Sequence, residues 1–262
     1  MKLKLLGIGD IVGRPGRDAV RDCLPGLVAR EGVGFCVGNA ENVAGGSGLT
    51  PDLAEKLIAS GLHVLTNGDH VWRKREIYEA LERDARLLRP ANYGAGVPGR
   101  GWNVYETAAG PVGVLNLLGQ TFMEPVECPF KTADRAVTEM ASRTKVIVVD
   151  IHGEATSDKI ALGRYLDGRV SLIFGSHTHV QTADEQILPK GTAYLTDCGM
   201  TGPYDSVIGR RVSDVLAKYL TRLPHVLEVA TGDPRMCGVI AEVETRTGLA
   251  SSIRRFQEKP AA

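Results

Sequence analysis

The sequence lacks several features that would place it in a specialised class of protein. Its five cysteines are odd in number and form no CxxC pair, so we expect reduced thiols in a cytoplasmic protein rather than a disulfide framework. No apolar run approaches the ~20 residues of a membrane span, and the short apolar start is too brief for a signal peptide. A formal net charge of +0 gives no sign of a long nucleic acid or membrane partner.

What remains is the composition of an ordinary globular chain. It has 262 residues, of which 43% are hydrophobic and 24% charged. This length favours a single domain over residues 1–262, with a small inserted subdomain near 90–130 as an option because glycine and proline are frequent there. No repeat or low-complexity tract divides the chain.

Short apolar runs alternate with helical patterns along much of the sequence. The runs predict strands at 3–8, 35–37, 63–65, 102–106, 112–118, 146–151, 170–174 and 192–195, followed by antiparallel strands at 226–229, 239–243 and 253–256. Apolar spacing predicts helices after Pro15, from Thr50 to Gly61, around Ile77, across 133–140, and near 157–166 and 213–220, with Pro25 expected to kink or split the first. The alternation indicates a layered α/β sandwich with mixed sheets.

Polar side chains of the kinds that bind metals follow five of these predicted strands. In open α/β sheets, ligands bind beyond the carboxyl ends of the strands, so we expect these side chains to share one rim. Three carboxylates crowded there would repel one another, and two divalent cations would balance them. The set is Asp10, Glu41, Asn42, Asp69, His70, His152, His177 and His179.

These donors are oxygen and nitrogen atoms without a thiolate, which suits manganese, iron or zinc. A carboxylate such as Glu41, or a solvent hydroxide, can span two metals about 3.5–4 Å apart. Such a pair lowers the pKa of bound water and clamps the oxygens of a displacement at phosphorus. His70 stands next to Asp69, so it lies near the metals without necessarily binding them, and can protonate a leaving oxygen.

Each residue also has a simpler interpretation when it is taken alone. Asp10 would cap the next helix, Asp69 would be a turn acid and His152 a hydrogen-bonded core histidine. The His177–His179 pair would be an ordinary turn. Only their joint placement at strand ends favours the metal site.

Several motifs resemble the calcineurin-like metallophosphoesterase superfamily and, more narrowly, its bacterial YmdB-type branch. The motifs occur in the right order and the likeness covers most of the chain. They are Gly9-Asp10-Ile11-Val12-Gly13, Asn39-Ala40-Glu41-Asn42, Gly68-Asp69-His70, Asp150-Ile151-His152-Gly153-Glu154-Ala155 and Gly175-Ser176-His177-Thr178-His179-Val180-Gln181-Thr182, with further similarity at 188–194 and 201–205.

The resemblance implies an α/β/β/α sandwich of two mixed sheets carrying two divalent or trivalent metal ions, iron or manganese before zinc. By motif position, Asp10 and His179 serve one metal, while Asp69, His152 and His177 serve the other. Glu41 bridges, Asn42 is a direct or outer partner, and His70 is the general acid. The implied activity is hydrolysis of small phosphodiesters or nucleotides, including 2′,3′-cyclic nucleotides, by metal-generated hydroxide.

Two departures from the superfamily pattern keep other functions open. Val12 stands where the first motif usually has a histidine, and Asp69 stands where the third usually has asparagine. An added carboxylate should make the metals poorer Lewis acids. Asp69 therefore favours one alternative, a nucleotide- or phosphate-binding signalling or scaffold protein with little turnover. A phosphomonoesterase is a separate alternative. Mixed sheets with exposed edges also favour a homo-oligomer.

Overall fold

Twelve strands and six helices make up the secondary structure of residues 1–260, the part of the chain that the computed structural model describes. The strands are β1 (Lys2–Ile8), β2 (Phe35–Asn39), β3 (Val64–Thr66), β4 (Trp102–Tyr105), β5 (Val112–Leu118), β6 (Val146–His152), β7 (Leu172–Ser176), β8 (Gln186–Ile187), β9 (Ala193–Leu195), β10 (Gly202–Asp205), β11 (Gly232–Glu244) and β12 (Ala250–Glu258). The helices are α1 (Gly13–Glu31), α2 (Pro51–Ala59), α3 (Ile77–Arg83), α4 (Pro129–Ala141), α5 (Thr156–Leu166) and α6 (Val212–Thr221), and a 3₁₀ turn covers Val71–Arg73.

The strands form two mixed sheets of six strands each. The first has the order β10-β11-β1-β2-β3, with β12 paired to β11, and its β1, β2 and β3 are parallel. The second has the order β4-β5-β6-β7-β9-β8, in which β5, β6, β7 and β9 are parallel. The segment 90–130 contributes β4 and β5 to this second sheet.

Three hydrophobic clusters show that the sheets pack face to face with helices outside. Because successive side chains of a strand point to opposite faces, Leu5 of β1 joins the cluster between the sheets, whereas Leu6 and Ile8 join the cluster under α1, α2 and α3. A third cluster fills the space between the second sheet and α4 and α5. The fold is therefore the predicted α/β/β/α sandwich.

Glycines bring the two sheets into close contact beside the site. A Cβ on Gly9 would lie 1.8 Å from the carbonyl oxygen of Gly199, and one on Gly7 would lie 2.8 Å from Cδ1 of Phe174. Both positions must therefore lack a side chain. This contact holds the end of β1 against the chain that follows β9, so that the strand ends of both sheets meet.

The sequence-based strand at 226–229 is wrong. Only Val229 pairs, in an isolated bridge to Arg210, and the Val226 side chain is exposed rather than packed on a sheet. Gly202–Asp205 is instead the strand β10, which the sequence did not reveal because glycine and proline are rare in strands and proline is tolerated at an edge.

Pro25 does not split α1, which runs unbroken from Gly13 to Glu31. Proline removes one helical hydrogen bond, to the carbonyl of residue 21 in this case. Pro25 and Arg21 both face solvent, where water can satisfy that carbonyl. Among the helices of residues 1–260, none combines the length and apolar character required to cross a bilayer.

Candidate metal centre

The eight predicted site residues all lie in one connected cluster at the carboxyl ends of the two sheets. Four of them offer donor atoms that lie within 4.8 Å of one another: Glu41, Asp69, His152 and His177. The remaining four join this group through contacts described below. The first sheet supplies Asp10, Glu41, Asn42, Asp69 and His70 after β1, β2 and β3, and the second supplies His152, His177 and His179 from β6 and β7.

Glu41 occupies the centre of the cluster and is almost fully buried. Its Oε1 accepts a hydrogen bond from Nδ2 of Asn42 (2.9 Å), and its Oε2 accepts one from the backbone N–H of His70 (3.1 Å). Nε2 of His152 lies 3.3 Å from the same Oε2. A Cβ on Gly68 would lie 2.2 Å from that oxygen, so glycine is required for the β3 loop to approach Glu41 this closely.

Asp10 keeps one carboxylate oxygen without a hydrogen-bond partner. Its Oδ2 accepts from the backbone N–H of His177 (2.9 Å). Its Oδ1 is buried, accepts no hydrogen bond from residues 1–260, and lies 3.8 Å from Nδ1 of His152 and 3.9 Å from Nε2 of His179. Burying an unpaired carboxylate oxygen is costly, and a coordinated cation would remove that cost.

Each histidine from the second sheet has one ring nitrogen engaged away from the cluster. Nδ1 of His152 is 2.9 Å from Oγ of Ser176, and Nδ1 of His179 is 3.0 Å from the carbonyl oxygen of Ile208. A proton held on such a nitrogen leaves the other nitrogen free as a ligand. The second ring nitrogens, Nε2 of His152 and Nε2 of His179, face the carboxylates of the cluster.

His177 presents the opposite nitrogen. Its Nε2 lies 3.1 Å from Oε2 of Glu154, whereas its Nδ1 lies 2.9 Å from Nε2 of His152 and 3.5 Å from Oδ1 of Asp69. A proton on Nε2, donated to Glu154, would leave the lone pair of Nδ1 available to a cation. The sequence did not assign Glu154 a role, although its place two residues after His152 was a usable signal.

The loop that carries the histidine pair has a strained backbone. His177 has φ 98° and His179 has φ 65°, in a region that residues other than glycine rarely adopt. Such conformations persist only where the surroundings enforce them, and they are concentrated at functional sites. Contacts with the residues packed beneath the loop must therefore stabilise this conformation.

A fully buried ion pair provides that support. Nζ of Lys159 donates to the carbonyl oxygen of Ser176 and to Oδ2 of Asp197, both at 2.7 Å. Oδ2 of Asp197 also accepts from the backbone N–H (3.2 Å) and the hydroxyl (2.8 Å) of Thr178. A Cβ on Gly175 would lie 2.9 Å from Cδ of Lys159, so glycine makes room for the lysine stem. Sequence reasoning missed both charged residues.

A second buried network joins the two sheets beneath the cluster. The Asp150 carboxylate accepts from Thr66 Oγ1 (2.5 Å), Asn39 Nδ2 (3.0 Å) and Ser176 Oγ (2.7 Å). Ser176, having donated its own proton, can accept from Nδ1 of His152. Burial raises the pKa of Asp150 to about 6. This network orients His152 from behind.

The charges of the cluster show that it attracts cations. Burial opposes the protonated form of His152, but Glu41, Asp69 and Asp10 outweigh that effect and raise its pKa to about 10. The hydrogen bond to Glu41 raises the pKa of His70, against the effect of burial. Histidines acquire protons here because three carboxylates require positive charge, which a divalent cation would supply instead. The donor set therefore fits metal ions.

Val12, at the position where the resemblance led us to look for a histidine ligand, packs away from the cluster. A Cβ on Gly202 would lie 3.0 Å from Cβ of Val12, and one on Gly209 would lie 2.9 Å from its Cγ1. Val12 thus packs against β10 and the loop that follows it, and this chain has no imidazole at that position.

Comparison with known proteins agrees with this architecture. The family model described as YmdB-like protein matches residues 6–256. The chain is 44% identical over 254 residues to the 2′,3′-cyclic-nucleotide 2′-phosphodiesterase of Bacillus subtilis, covering 97% of this chain and 96% of the relative.

Two solved structures share the fold at full length. A hypothetical protein of Thermus thermophilus superposes with a TM-score of 0.91 at 37% identity, covering 99% of this chain and 100% of its own. A novel phosphatase of Mycoplasma pneumoniae superposes with a TM-score of 0.93 at 30% identity, covering 99% and 94%. With the family model spanning nearly the whole chain, this protein belongs to the YmdB-like family.

Proposed function

We propose that this protein is a metal-dependent phosphodiesterase that hydrolyses small phosphodiesters, with 2′,3′-cyclic nucleotides as preferred substrates. The observation that carries the proposal is the meeting of the carboxylates of Glu41 and Asp69 from one sheet with the imidazoles of His152 and His177 from the other. The 2′,3′-cyclic-nucleotide 2′-phosphodiesterase activity of the Bacillus subtilis relative supports the choice of substrate. We further propose a cytoplasmic location, because all five cysteines are free thiols.

Two cations, iron or manganese before zinc, would be held by two sets of ligands. Asp10 and His179 would hold one, and Asp69, His152 and His177 the other. Glu41 would bridge the two cations, since one of its carboxylate oxygens contacts Asn42 and the other contacts His152. Nδ2 of Asn42 lies 3.2 Å from Nε2 of His179 and 2.9 Å from Oε1 of Glu41, and these contacts support the proposal that Asn42 is a partner of the first set.

Bound cations would supply an activated water and neutralise the charge of the phosphoryl oxygens. His70 would supply the proton for the leaving oxygen. Its Nδ1 lies 2.8 Å from Oδ1 of Asn42, so Nδ1–H donates to that amide and Nε2 remains to carry the transferable proton. The attacking water would lose one proton to the solvent as its oxygen bonds to phosphorus. The bond to the ester oxygen would then break, and that oxygen would take the proton from Nε2 of His70.

A panel of substrates tests the proposal. Hydrolysis of 2′,3′-cyclic, 3′,5′-cyclic and linear diesters would be measured with Mn²⁺ or Fe²⁺, beside matching monoesters. We expect the highest kcat/KM for a 2′,3′-cyclic nucleotide. A preference for monoesters would replace the proposal with a phosphomonoesterase, and no hydrolysis of any diester in either metal would reject it.

Asp69 favours a second candidate, a nucleotide- or phosphate-binding signalling or scaffold protein with little turnover. Its carboxylate replaces a neutral amide and lies 3.1 Å from Nε2 of His152 and 3.7 Å from Nε2 of His70. The added negative charge would weaken the Lewis acidity of the cations. Tight binding of a cyclic nucleotide without product over hours would favour this candidate, and recovery of turnover in Asp69→Asn would assign the loss to this residue.

A further inference from the structure

A cavity rich in arginine lies between the edge strand β4 of the second sheet and α4. It has a volume of about 610 Å³, and the chain that precedes β4 forms part of its wall. Small-molecule sites in proteins usually occupy ~300–1,000 Å³. None of the eight residues of the candidate metal centre lines this cavity, which we call the arginine cavity. Its arginines are Arg89, Arg100, Arg135 and Arg143.

Arg89 is the half-buried arginine of the cavity, and it forms no ion pair among residues 1–260. Its Nε donates to the carbonyl oxygen of Pro98 (3.2 Å), and its Nη1 donates to that of Pro90 (2.8 Å). These two bonds fix the guanidinium without supplying a counter-charge, and burial lowers the pKa of Arg89. Moving a charge out of water without a counter-charge is costly. An anion bound in the cavity would offset that cost.

The lining of the cavity carries more positive than negative charge. Arg100 and Arg143 are exposed, and neither forms an ion pair within the part of the chain that the structure describes. Arg135 pairs with Glu127 (2.9 Å), which does not line the cavity. The acids of the lining are Glu82 and Glu139. Four guanidinium groups and two carboxylates leave the lining with a formal excess of two positive charges.

Hydrogen-bonded backbone forms one wall of the cavity. The backbone N–H of Arg89 donates to the carbonyl oxygen of Arg100 (3.0 Å), which holds these two segments together. Asn116, a buried residue of β5, donates its backbone N–H to the carbonyl oxygen of Gly101 (2.9 Å) and accepts from the N–H of Ala91 (2.8 Å). A Cβ on Gly101 would lie 2.2 Å from Cα of Ala91, so glycine is required for this approach. A wall fixed in this way loses little conformational freedom when a ligand binds.

We propose that the arginine cavity binds a small anion that carries phosphate groups. A guanidinium can donate two parallel hydrogen bonds to phosphate oxygens, a geometry that lysine lacks. The excess of two positive charges matches a ligand with two or more negative charges. The partly buried indole of Trp102 lines the same cavity and offers an apolar surface to the rest of the ligand. The proposal does not depend on the phosphodiesterase activity, because the two sites share no residue.

Trp102 can report the binding directly. The chain has two tryptophans, so Trp72→Phe in the full-length protein leaves Trp102 as the single indole. Titration with inorganic diphosphate and with ADP should change its fluorescence and saturate with a Kd below about 1 mM. A lower Kd for ADP would assign the ligand to the nucleotides, and a lower Kd for diphosphate would assign it to the inorganic phosphates. No binding of either probe up to about 10 mM, by fluorescence and by calorimetry, would overturn the proposal.

Chelation distinguishes the arginine cavity from the candidate metal centre. Phosphate-bearing probes can also bind to metal ions, so the titration would be repeated after the protein has been stripped with a chelator. We expect the same Kd and the same change in Trp102 fluorescence, because the cavity contains none of the metal-centre residues. A signal that is lost on stripping would place the probe at the metal centre and overturn the proposal.

Charge variants test the arginines themselves. Arg100→Gln combined with Arg143→Gln should weaken diphosphate binding at least about tenfold with an unchanged circular dichroism spectrum, because two charge-assisted contacts are lost. Arg164→Gln is the matched control, since Arg164 is exposed on α5 outside the cavity, and should leave the Kd unchanged. Glu139→Gln removes an acid from the lining and should tighten binding roughly two- to fivefold, which a loss of structure would not do. Unchanged affinity in the double arginine variant, or weaker binding in Glu139→Gln, would contradict the proposal.

Discussion

The two sheets make different contributions to the candidate metal centre. The first supplies the oxygen donors and His70, and the second supplies the three other imidazoles. On the first sheet, Glu41 is fixed by an amide side chain and a backbone N–H from its own sheet. On the second, His177 and His179 lie in the left-handed region and depend on Lys159 and Asp197 below them. We call the donors of the first sheet the oxygen half of the centre and those of the second sheet the imidazole half. The position of the oxygen half is explained by the strand ends, whereas the imidazole half also needs the buried ion pair to hold its loop.

The largest effect should come from removing one donor from each half. We expect Asp10→Ala and His152→Ala each to lower metal affinity beyond the ~10- to 100-fold that loss of an outer partner costs. Activity should fall with it, because each change leaves a set of donors incomplete. Metal content after dialysis measures the loss, and His225→Ala, an exposed histidine outside the cluster, is the control. Full metal content in His152→Ala would show that the second sheet contributes no ligand there.

His70 should separate turnover from metal binding. We expect His70→Ala to retain both metals and to lose roughly 10²- to 10⁴-fold in kcat, the usual contribution of a general acid. A diester with a p-nitrophenolate leaving group needs no proton, so its hydrolysis should fall much less. Equal losses on both substrates would contradict the general-acid role.

The buried ion pair should affect only the imidazole half. Lys159→Met leaves the Asp197 carboxylate buried and unpaired, which costs about 3–5 kcal/mol of unfolding free energy. In the folded fraction we expect metal binding to weaken because the histidine loop is no longer held in place. The carboxylates of the first sheet should keep their positions. The double variant Lys159→Met with Asp197→Leu should recover part of the stability and none of the metal affinity, because Thr178 then has no acceptor. Calorimetric binding of Mn²⁺ and thermal unfolding distinguish the two effects.

Proton release should give the smallest and most specific signal. In the metal-free protein the pKa of His152 is raised to about 10, so this imidazole is protonated at pH 7.5. A metal ligand must be neutral, and metal binding should therefore release a proton to the buffer. The heat of metal binding would be measured in two buffers of different ionisation enthalpy. The difference between the two heats, divided by the difference in ionisation enthalpy, should give about one proton released per chain. Identical heats would mean that His152 remains protonated or does not bind.

The parts of the molecule that the sequence revealed are those in which a local pattern decides the outcome. Apolar runs ending in Asp10, Glu41 or His152 mark strand ends, and the parallel arrangement brings those ends to one rim. The buried ion pair that supports the histidine loop could not be predicted from the sequence, because a lysine on a helix is normally exposed. Residues 226–229 were taken for a strand because two valines and a leucine give a local strand signal, but Val226 is exposed and only Val229 pairs, with Arg210.

The most direct test of the account is to measure metal content and hydrolysis on the same sample. The full-length protein would be stripped with a chelator, reloaded with Mn²⁺ or Fe²⁺, and assayed on a 2′,3′-cyclic nucleotide at each level of loading. We predict that activity rises with metal content and reaches its maximum near two ions per chain. Hydrolysis that is undiminished in the stripped protein, or loading that saturates without restoring hydrolysis, would contradict the account.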